Sequence, residues 1–482
     1  MTKTSRERQV DVAIIGAGSA GISTRRAVKA AGASIALIDP GPFGTTCARV
    51  GCMPSKLLIH AAHSAHQARE AHKLGVHTDV RVDGAAVLKR LRSERDRFVS
   101  FVLDVIQEAR TGGELVEGKA TIDSPGVLAI SDGSRVRYRS LVIATGSKSS
   151  IVPDYRALGP EQLLTNESVF EIEQLPKSLL VVGAGVLGLE LGQAFARLGV
   201  RTTILGTEHT VGPLSDPEVR DSANMILCGE LDLHTTHKLE SIEKTAEGVR
   251  ARFQDREGKT RTEIYERVLM GAGRPPVLNG LGLEKLGVSK DGKGHYPIDA
   301  HTLQLGDQPV FVAGDANGLH PILHEASDDG QIAGTNAVQF PKLDKPARRT
   351  PLAIMFTDPQ IAVIGKTYAK LSECTAMQGE VDFGDQGRAR VQGENRGKLR
   401  IYGDRDSHRL IGAELIAPQG EHLAHLLAWA IQRELTVEDV LALPFYHPVV
   451  EEGVRSALRD LAKNLRCGEP IKCRASELGV GS

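Results

Sequence analysis

The chain contains one glycine pattern twice, each time between a run of apolar residues and a helix-forming stretch. Val10 to Ile15 reads as a buried strand, followed by Gly16-Ala-Gly18-Ser-Ala-Gly21, a helical stretch to about Ala31, and a second strand from Ser34 to Ile38 that ends at Asp39. Ser178 to Val182 reads as another strand, followed by Gly183-Ala-Gly185-Val-Leu-Gly188, a helix through Leu189 to about Leu198, and a strand over Arg201 to Leu205. A strand, a glycine turn and a helix in that order form a unit whose geometry leaves little freedom. The first glycine permits a tight turn, the second lets backbone N–H groups approach a pyrophosphate, and the third lets helix and strand pack closely. The helix N-terminus then stabilises phosphate charge. Asp39, just over 20 residues past the first glycine, can accept hydrogen bonds from a ribose. Two such units predict an α/β chain with two Rossmann-like domains and two bound dinucleotides, the pair that an oxidoreductase holding a flavin and a nicotinamide requires.

Composition narrows the function further. Sixty acids balance 59 bases among 482 residues, so neither nucleic acid nor an anionic membrane is implied as a partner. No apolar run reaches the roughly 18 residues of a membrane span, and the polar N-terminus runs straight into a strand, so a cytoplasmic location is expected. Six cysteines in a chain of this length do not make a disulfide framework.

Two of those cysteines, Cys47 and Cys52, lie in Gly44-Thr-Thr-Cys-Ala-Arg-Val-Gly-Cys-Met-Pro-Ser-Lys56, shortly after the first glycine turn. Paired thiols beside a redox cofactor suggest electron transfer through a dithiol and its disulfide; a static cross-link or two unrelated thiols are the alternatives. If the segment is one helix, residues five apart have Cα atoms roughly 8–9 Å from each other. A disulfide needs less than about 7 Å, so a bridge would demand a local distortion. A thiolate is needed at each exchange step, which predicts a depressed thiol pKa.

Between the two units, Ala61 to Glu108 reads as mostly helical and Leu115 to Ser131 as a hairpin; Leu141 to Ala144 is a strand leading into Thr145-Gly146. Past about Arg348 the glycine turns stop, and strands (Lys398 to Tyr402, Leu410 to Ile416) mix with helices (Gly420 to Arg433, Glu451 to Leu465), which predicts a separate α+β domain. Pro448 suits the first position of a helix, which would leave His447 in the turn before it and Glu452 within reach of one imidazole nitrogen.

In this order the motifs resemble those of the pyridine nucleotide–disulfide oxidoreductases, over nearly the whole chain from about Val10 to Leu465. The resemblance implies that Cys47 and Cys52 form a redox-active disulfide, Cys47 exchanging with substrate and Cys52 facing the flavin. It implies further flavin contacts from Ala144-Thr145-Gly146-Ser147, from Asp315 at the end of Val310-Phe-Val-Ala-Gly-Asp, and from His324 in His-Glu-Ala-Ser-Asp-Asp-Gly330. Gly271-Ala-Gly273-Arg274-Pro275 resembles the turn that closes the nicotinamide domain. Lys56 and Glu190 would form an ion pair near the flavin, and His447 with Glu452 a catalytic dyad that serves the other subunit of a homodimer. The implied domains are an FAD-binding domain (1–150), an NAD(P)-binding domain (151–272), a central domain completing the FAD site (273–347) and a dimerisation domain (348–482). The implied cofactors are FAD and NAD, with NADP possible. The implied partner is a small dithiol or disulfide, or the lipoyl domain of a 2-oxo acid dehydrogenase complex. Reduction of another disulfide (glutathione-like or mycothiol-like) or of mercuric ion, and a flavoprotein scaffold without activity, are the alternatives.

Three departures from the family pattern stand out. Thr45 replaces a glycine before Cys47. Gly206 ends the second strand of the nicotinamide unit, where an acid usually selects NAD. Cys467 and Cys473 lie near the C-terminus without matching a relay motif, and read as incidental. Cys228 and Cys374 read as structural, and no metal site is expected.

Overall fold

The structure is a computed structural model that describes residues 7–371 and 376–467. They gather into two compact units, one drawn from residues up to 57, 89–150 and 273–348, the other from 58–88, 151–272 and 349 onward.

The chain begins with β1 (Glu7–Ile15), α1 (Ser19–Ala30), β2 (Ile35–Asp39), α2 (Thr46–Val50), α3 (Cys52–Glu70), α4 (Gly84–Thr111), β3 (Leu115–Glu117), β4 (Ala120–Ser124), β5 (Val127–Ile130) and β6 (Arg135–Ile143). Their strands form a sheet in the order β3-β2-β1-β6-β5-β4. β1, β2, β3 and β6 run parallel, while β4 and β5 fold back as a hairpin. The predicted hairpin over Leu115 to Ser131 is therefore only half right. Leu115–Glu117 follows a helical crossover, and such a connection returns the chain parallel to the strand before it. Ala61 to Glu108 is mostly helical as expected, with α3 and α4 separated by residues 75–83, where Gly75 takes a left-handed φ of 80°. Inner residues alternate between two cores: Ala13, Ile15, Ala36 and Ile38 face one side, Val12, Ile14 and Leu37 the other. A sheet buried on both faces is the expected state of parallel strands.

The second unit contains α5 (Gly159–Gln162), β7 (Leu163–Leu164), β8 (Ser178–Val182), α6 (Val186–Arg197), β9 (Arg201–Leu205), α7 (Pro217–Cys228) and β10 (Asp232–His234), then β11 (Lys238–Thr245), β12 (Gly248–Gln254), β13 (Thr260–Tyr265) and β14 (Arg267–Met270). These build a parallel sheet, β10-β9-β8-β14-β7, and a three-stranded antiparallel sheet, β11-β12-β13. The chain then returns to the first unit. β15 (Val310–Val312) pairs with the C-terminal half of β6, and α8 (Leu323–Gln339) packs along α1.

The rest of the second unit is α+β: β16 (Leu352–Met355), β17 (Gln360–Gly365), β18 (Ala376–Asp382), α9 (Gly387–Gln392), β19 (Lys398–Asp404), β20 (Leu410–Ala417), α10 (Gly420–Gln432), α11 (Val437–Leu441) and α12 (Glu452–Cys467). The antiparallel sheet β16-β17-β20-β19-β18 buries one core with α10, α11 and α12. No helix among the described residues is long and apolar enough to cross a membrane.

Candidate active site

Each fingerprint builds the same cradle. A Cβ on Gly16 would overlap the Ala144 carbonyl, and one on Gly21 the Gly16 carbonyl; a Cβ on Gly18 would meet nothing within 4 Å. In the second unit, Gly183 and Gly188 are packed in the same way against the Gly271 and Gly183 carbonyls, and Gly185 again faces open space. α1 and α6 both start without a side-chain cap, leaving their first N–H groups directed at that space. Close packing at the outer glycines and room at the middle one fit a pyrophosphate at each helix N-terminus. The residues therefore fit FAD and a nicotinamide dinucleotide.

The strand ends differ. Asp39 accepts the Ala17 and Gly41 amides, each at 2.7 Å, so its carboxylate is fixed beside the glycine turn. At Gly206 a Cβ would stand 2.6 Å from the Ala184 side chain. Its carbonyl accepts the His237 Nδ1–H at 2.5 Å. Burial holds the His237 imidazole below the ordinary histidine range, so this end of the cradle presents a neutral ring.

Around the first cradle, Thr145 Oγ1 donates to the Val277 carbonyl (2.6 Å), and Gly146 takes φ 70° with open space at its Cα. Asp315 accepts the Ser147 hydroxyl (2.6 Å), and Arg274 bonds Ser147 through its hydroxyl and its carbonyl. Gly273, at φ 99°, likewise faces open space. His324 lies in the first turn of α8, half exposed, 3.9 Å from Glu325. Sequence reading missed the acids beneath it. Asp329 is fully buried and accepts the Gly314 amide, Asn317 and Arg348, while Arg348 also bonds Glu325. The only signal was the acid-rich run Glu325 to Asp329, which reads equally well as a solvated helix face.

The two thiols sit on two helices rather than one. Cys47 lies in α2, Cys52 opens α3, and Gly51 between them leaves helical geometry with φ −133° and ψ −115°. That break supplies the distortion which a continuous helix would have required. Both cysteines are present as thiols. The depressed pKa expected from the sequence is not found at Cys47. Its hydrogen bond to Cys52, burial and the charge on Cys52 push it above the ordinary thiol range, with Lys56 pulling more weakly the other way. Ionising Cys47 beside Cys52 would set two negative charges close together in a half-buried place.

Before the pair, Thr45 adopts φ 59° and ψ 152° and caps α2 by accepting the Ala48 amide at 3.2 Å. In the second unit, His447 Nδ1 contacts Glu452 Oε2 at 3.0 Å, and Arg455 bonds the other carboxylate oxygen at 2.7 Å. Burial opposes ionisation of Glu452, but the Val449 amide, His447 and Arg455 outweigh it and hold the carboxyl below its usual range. The helix begins at Glu452 itself, so Pro448 lies in the turn before it and not at its first position. The His447 side chain is 79% exposed. Lys56 belongs to the first unit and Glu190 to the second. Cys228 is half-buried and directs its thiol to Asn224 and the Leu233 carbonyl. Cys374, Cys473 and the Cys467 side chain lie outside the described residues. No group of metal ligands occurs among the described residues.

Two dinucleotide cradles and a dithiol define a two-nucleotide redox enzyme. Residues 10–330 match the pyridine nucleotide-disulphide oxidoreductase model, and residues 352–458 match the dimerisation domain of the same family. The chain is 30% identical to dihydrolipoyl dehydrogenase 2 of Haloarcula marismortui, covering 93% of this chain and 95% of that one. It is 29% identical to a mercuric reductase of Streptomyces lividans, covering 91% and 93%. The fold is similar to that of the HOCl-induced flavoprotein disulfide reductase RclA of Escherichia coli, with a TM-score of 0.77 at 21% identity over 94% and 99% of the two chains. The chain belongs to the pyridine nucleotide-disulphide oxidoreductase family, as an NAD(P)-dependent flavoprotein oxidoreductase with FAD and NAD(P)H as its cofactors.

Proposed function

We propose that the protein oxidises a dithiol of the dihydrolipoamide type, and that the Cys47–Cys52 pair is its exchange centre. The observation that carries this is the hydrogen-bonded Cys47–Cys52 pair, brought together by the break at Gly51 between α2 and α3. In the oxidised enzyme, a substrate thiol gives its proton to His447, whose Nδ1 is engaged by Glu452 and whose Nε2 is left for exchange. The substrate thiolate attacks the Cys47 sulfur, the Cys47–Cys52 bond breaks, and Cys52 leaves as a thiolate. The second substrate thiol attacks the mixed disulfide at the substrate sulfur and releases Cys47, which takes the proton that this second thiol gives up, while His447 keeps the first. The substrate has lost two electrons and the cysteine pair has gained them. FAD, held by the first cradle, would supply the acceptor for this electron pair, and NAD⁺ in the second cradle its final destination. The upward push on Cys47 suits a thiol that takes up a proton when the substrate is released.

On this reading residues 1–150 with 273–347 hold FAD through Gly16, Gly18, Gly21, Asp39, Thr145, Gly146, Asp315 and His324. Residues 151–272, with Gly183, Gly185, Gly188 and the following Gly273, hold the nicotinamide nucleotide. Residues 348–482 make a homodimer in which the exposed His447–Glu452 dyad serves the second copy. The relatives named as dihydrolipoyl dehydrogenases support the substrate class. Mercuric ion is the second reading, supported by the Streptomyces lividans relative. Steady-state turnover of NAD(H) and NADP(H) against lipoamide, glutathione disulfide and mercuric ion separates them. Cys47→Ser is expected to lower lipoamide turnover at least a thousandfold while FAD stays bound; full activity in that variant would remove Cys47 from the exchange step.

A further inference from the structure

Glu414 is a carboxylate without exposed surface in the middle of β20, between Ala413 and Leu415 of the apolar core. Burying such a group is costly unless its oxygens are bonded, and four donors meet this one. The Ser215 and Asp216 amides donate to Oε2 at 2.7 and 2.8 Å. The Ser215 hydroxyl and the Tyr368 amide donate to Oε1 at 2.5 and 2.8 Å. Asp216, also without exposed surface, caps α7 by accepting the Glu218 and Val219 amides, and is held by Arg400 and the Tyr402 hydroxyl of β19. Ser215 is thereby fixed to a strand residue 199 positions further along the chain, and all of these groups belong to the second unit.

Ser215 and Asp216 close the loop that follows β9. The loop starts at Gly206, where a Cβ would stand 2.6 Å from the Ala184 side chain, and returns to the same turn at Gly212, whose amide donates to the Ala184 carbonyl at 2.9 Å. Between these points Thr207 to Thr210 are exposed, and Glu208 and His209 both take φ 55°. Left-handed backbone at such residues persists only where the surroundings hold it. Here β9 holds one end of the loop and the Glu414 carboxylate the other. In a unit of this kind the ribose beside the pyrophosphate lies at the end of the second strand, so residues 206–212 form the rim of the cradle on that side. We propose that Glu414 is a positioning residue for the nicotinamide nucleotide, anchoring the rim loop and so setting how tightly the nucleotide is held. The proposal rests on the reading in which the second cradle holds that nucleotide.

The test is anaerobic reduction of the holoenzyme flavin by increasing NADH or NADPH in a stopped-flow spectrometer, which gives a half-saturating concentration and a limiting rate. Glu414→Gln keeps the shape but offers one acceptor oxygen and turns an amide N–H₂ on the other pair of donors. It is expected to raise the half-saturating concentration about fivefold or more, with the limiting rate within about twofold of the parent. Ser215→Ala removes one of the four donors and should raise it about twofold; this variant carries the test if Glu414→Gln does not fold. Ser215→Thr, which keeps the hydroxyl, should match the parent. Because both residues act through one anchor, Ser215→Ala should add less than about 1.5-fold in a Glu414→Gln background. A lower melting temperature with an unchanged half-saturating concentration, a change confined to the limiting rate, or effects that add in full overturn the proposal. Gly188→Ala separates it from the reading beneath: if that variant also leaves the half-saturating concentration unchanged, the second cradle does not hold the nucleotide and both fall. If Gly188→Ala alone raises it, only the anchor falls.

Discussion

The two glycine cradles agree almost atom for atom at their phosphate ends and part company at their ribose ends. Gly16 and Gly183 take φ 108° and 110°, and the capping glycines Gly18 and Gly185 take ψ −169° and −174°. Yet β2 ends on Asp39, tied to two amides, while β9 ends at Leu205 and is followed by Gly206, packed against Ala184. A pyrophosphate makes the same demand of any protein: two packed glycines, one open glycine and free N–H groups. A ribose end has no such uniform demand, because it decides which nucleotide is admitted. The first cradle holds a carboxylate at that end, and the second has a glycine there.

The equivalence is broken most sharply at the third glycine. Gly21→Ala and Gly188→Ala each push a Cβ into the carbonyl oxygen of the first glycine of the same turn. Overpacking of this kind costs about 1–3 kcal/mol, and here it also moves the helix N-terminus. Gly21→Ala is expected to leave less than about a tenth of the purified chains with bound flavin. Gly188→Ala should keep the flavin and raise the KM for the nicotinamide about tenfold or more. Flavin absorbance per chain and the two KM values check this. Loss of flavin from Gly188→Ala, with Gly21→Ala unaffected, would exchange the assignments of the cradles.

These glycines were legible because their spacing answers to a local shape, and the strand–turn–helix pattern around each repeats it. Elements whose reason is distant were not. Nothing near Leu115 shows that it will pair parallel with β2 rather than turn back on β4. The Gly51 break reads as one more helical residue until its backbone angles are seen. Glu190 looks like a surface acid because the amide it accepts lies 166 residues downstream, and Arg348 meets its two acids only once α8 is in place. Sequence periodicity carries burial and local caps; it does not carry which distant backbone group a buried charge will find.

A second, smaller effect sharpens the ribose difference. Gly206→Glu supplies the missing acid, and should favour NAD(H) over NADP(H) by about tenfold in the ratio of kcat/KM values, equivalent to about 1.4 kcal/mol. The new Cβ would lie 2.6 Å from that of Ala184, so the single substitution should also lower the melting temperature. Ala184→Gly in the same chain should restore it while keeping the new preference. A selectivity ratio that does not move would mean that discrimination resides elsewhere in the nicotinamide unit.

The smallest effect concerns the turns that follow β2 and β9. Both place non-glycine residues at positive φ: Thr45 at 59° in the first, Glu208 and His209 at 55° in the second. Only Thr45 has a cap to offset the strain, since its hydroxyl accepts the Ala48 amide at the start of the helix that carries Cys47. Such a backbone conformation costs about 1–3 kcal/mol, and a threonine cap contributes about 1 kcal/mol. The cap offsets part of the strain, which helps a threonine to occupy a place that suits glycine. Thr45→Gly gives up a few tenths of a kcal/mol of capping and relieves the strain, so it should leave stability unchanged or raise it by about 1 kcal/mol. Thr45→Ala keeps the strain and loses the hydroxyl, so it should cost about 1 kcal/mol. Thr45→Ser should match the parent within about half a kcal/mol. Denaturation of the three holoenzyme variants side by side tests the order. If the alanine variant proves as stable as the glycine one, the hydroxyl does not offset the strain, and the turn beside the dithiol is no different in kind from the one after β9.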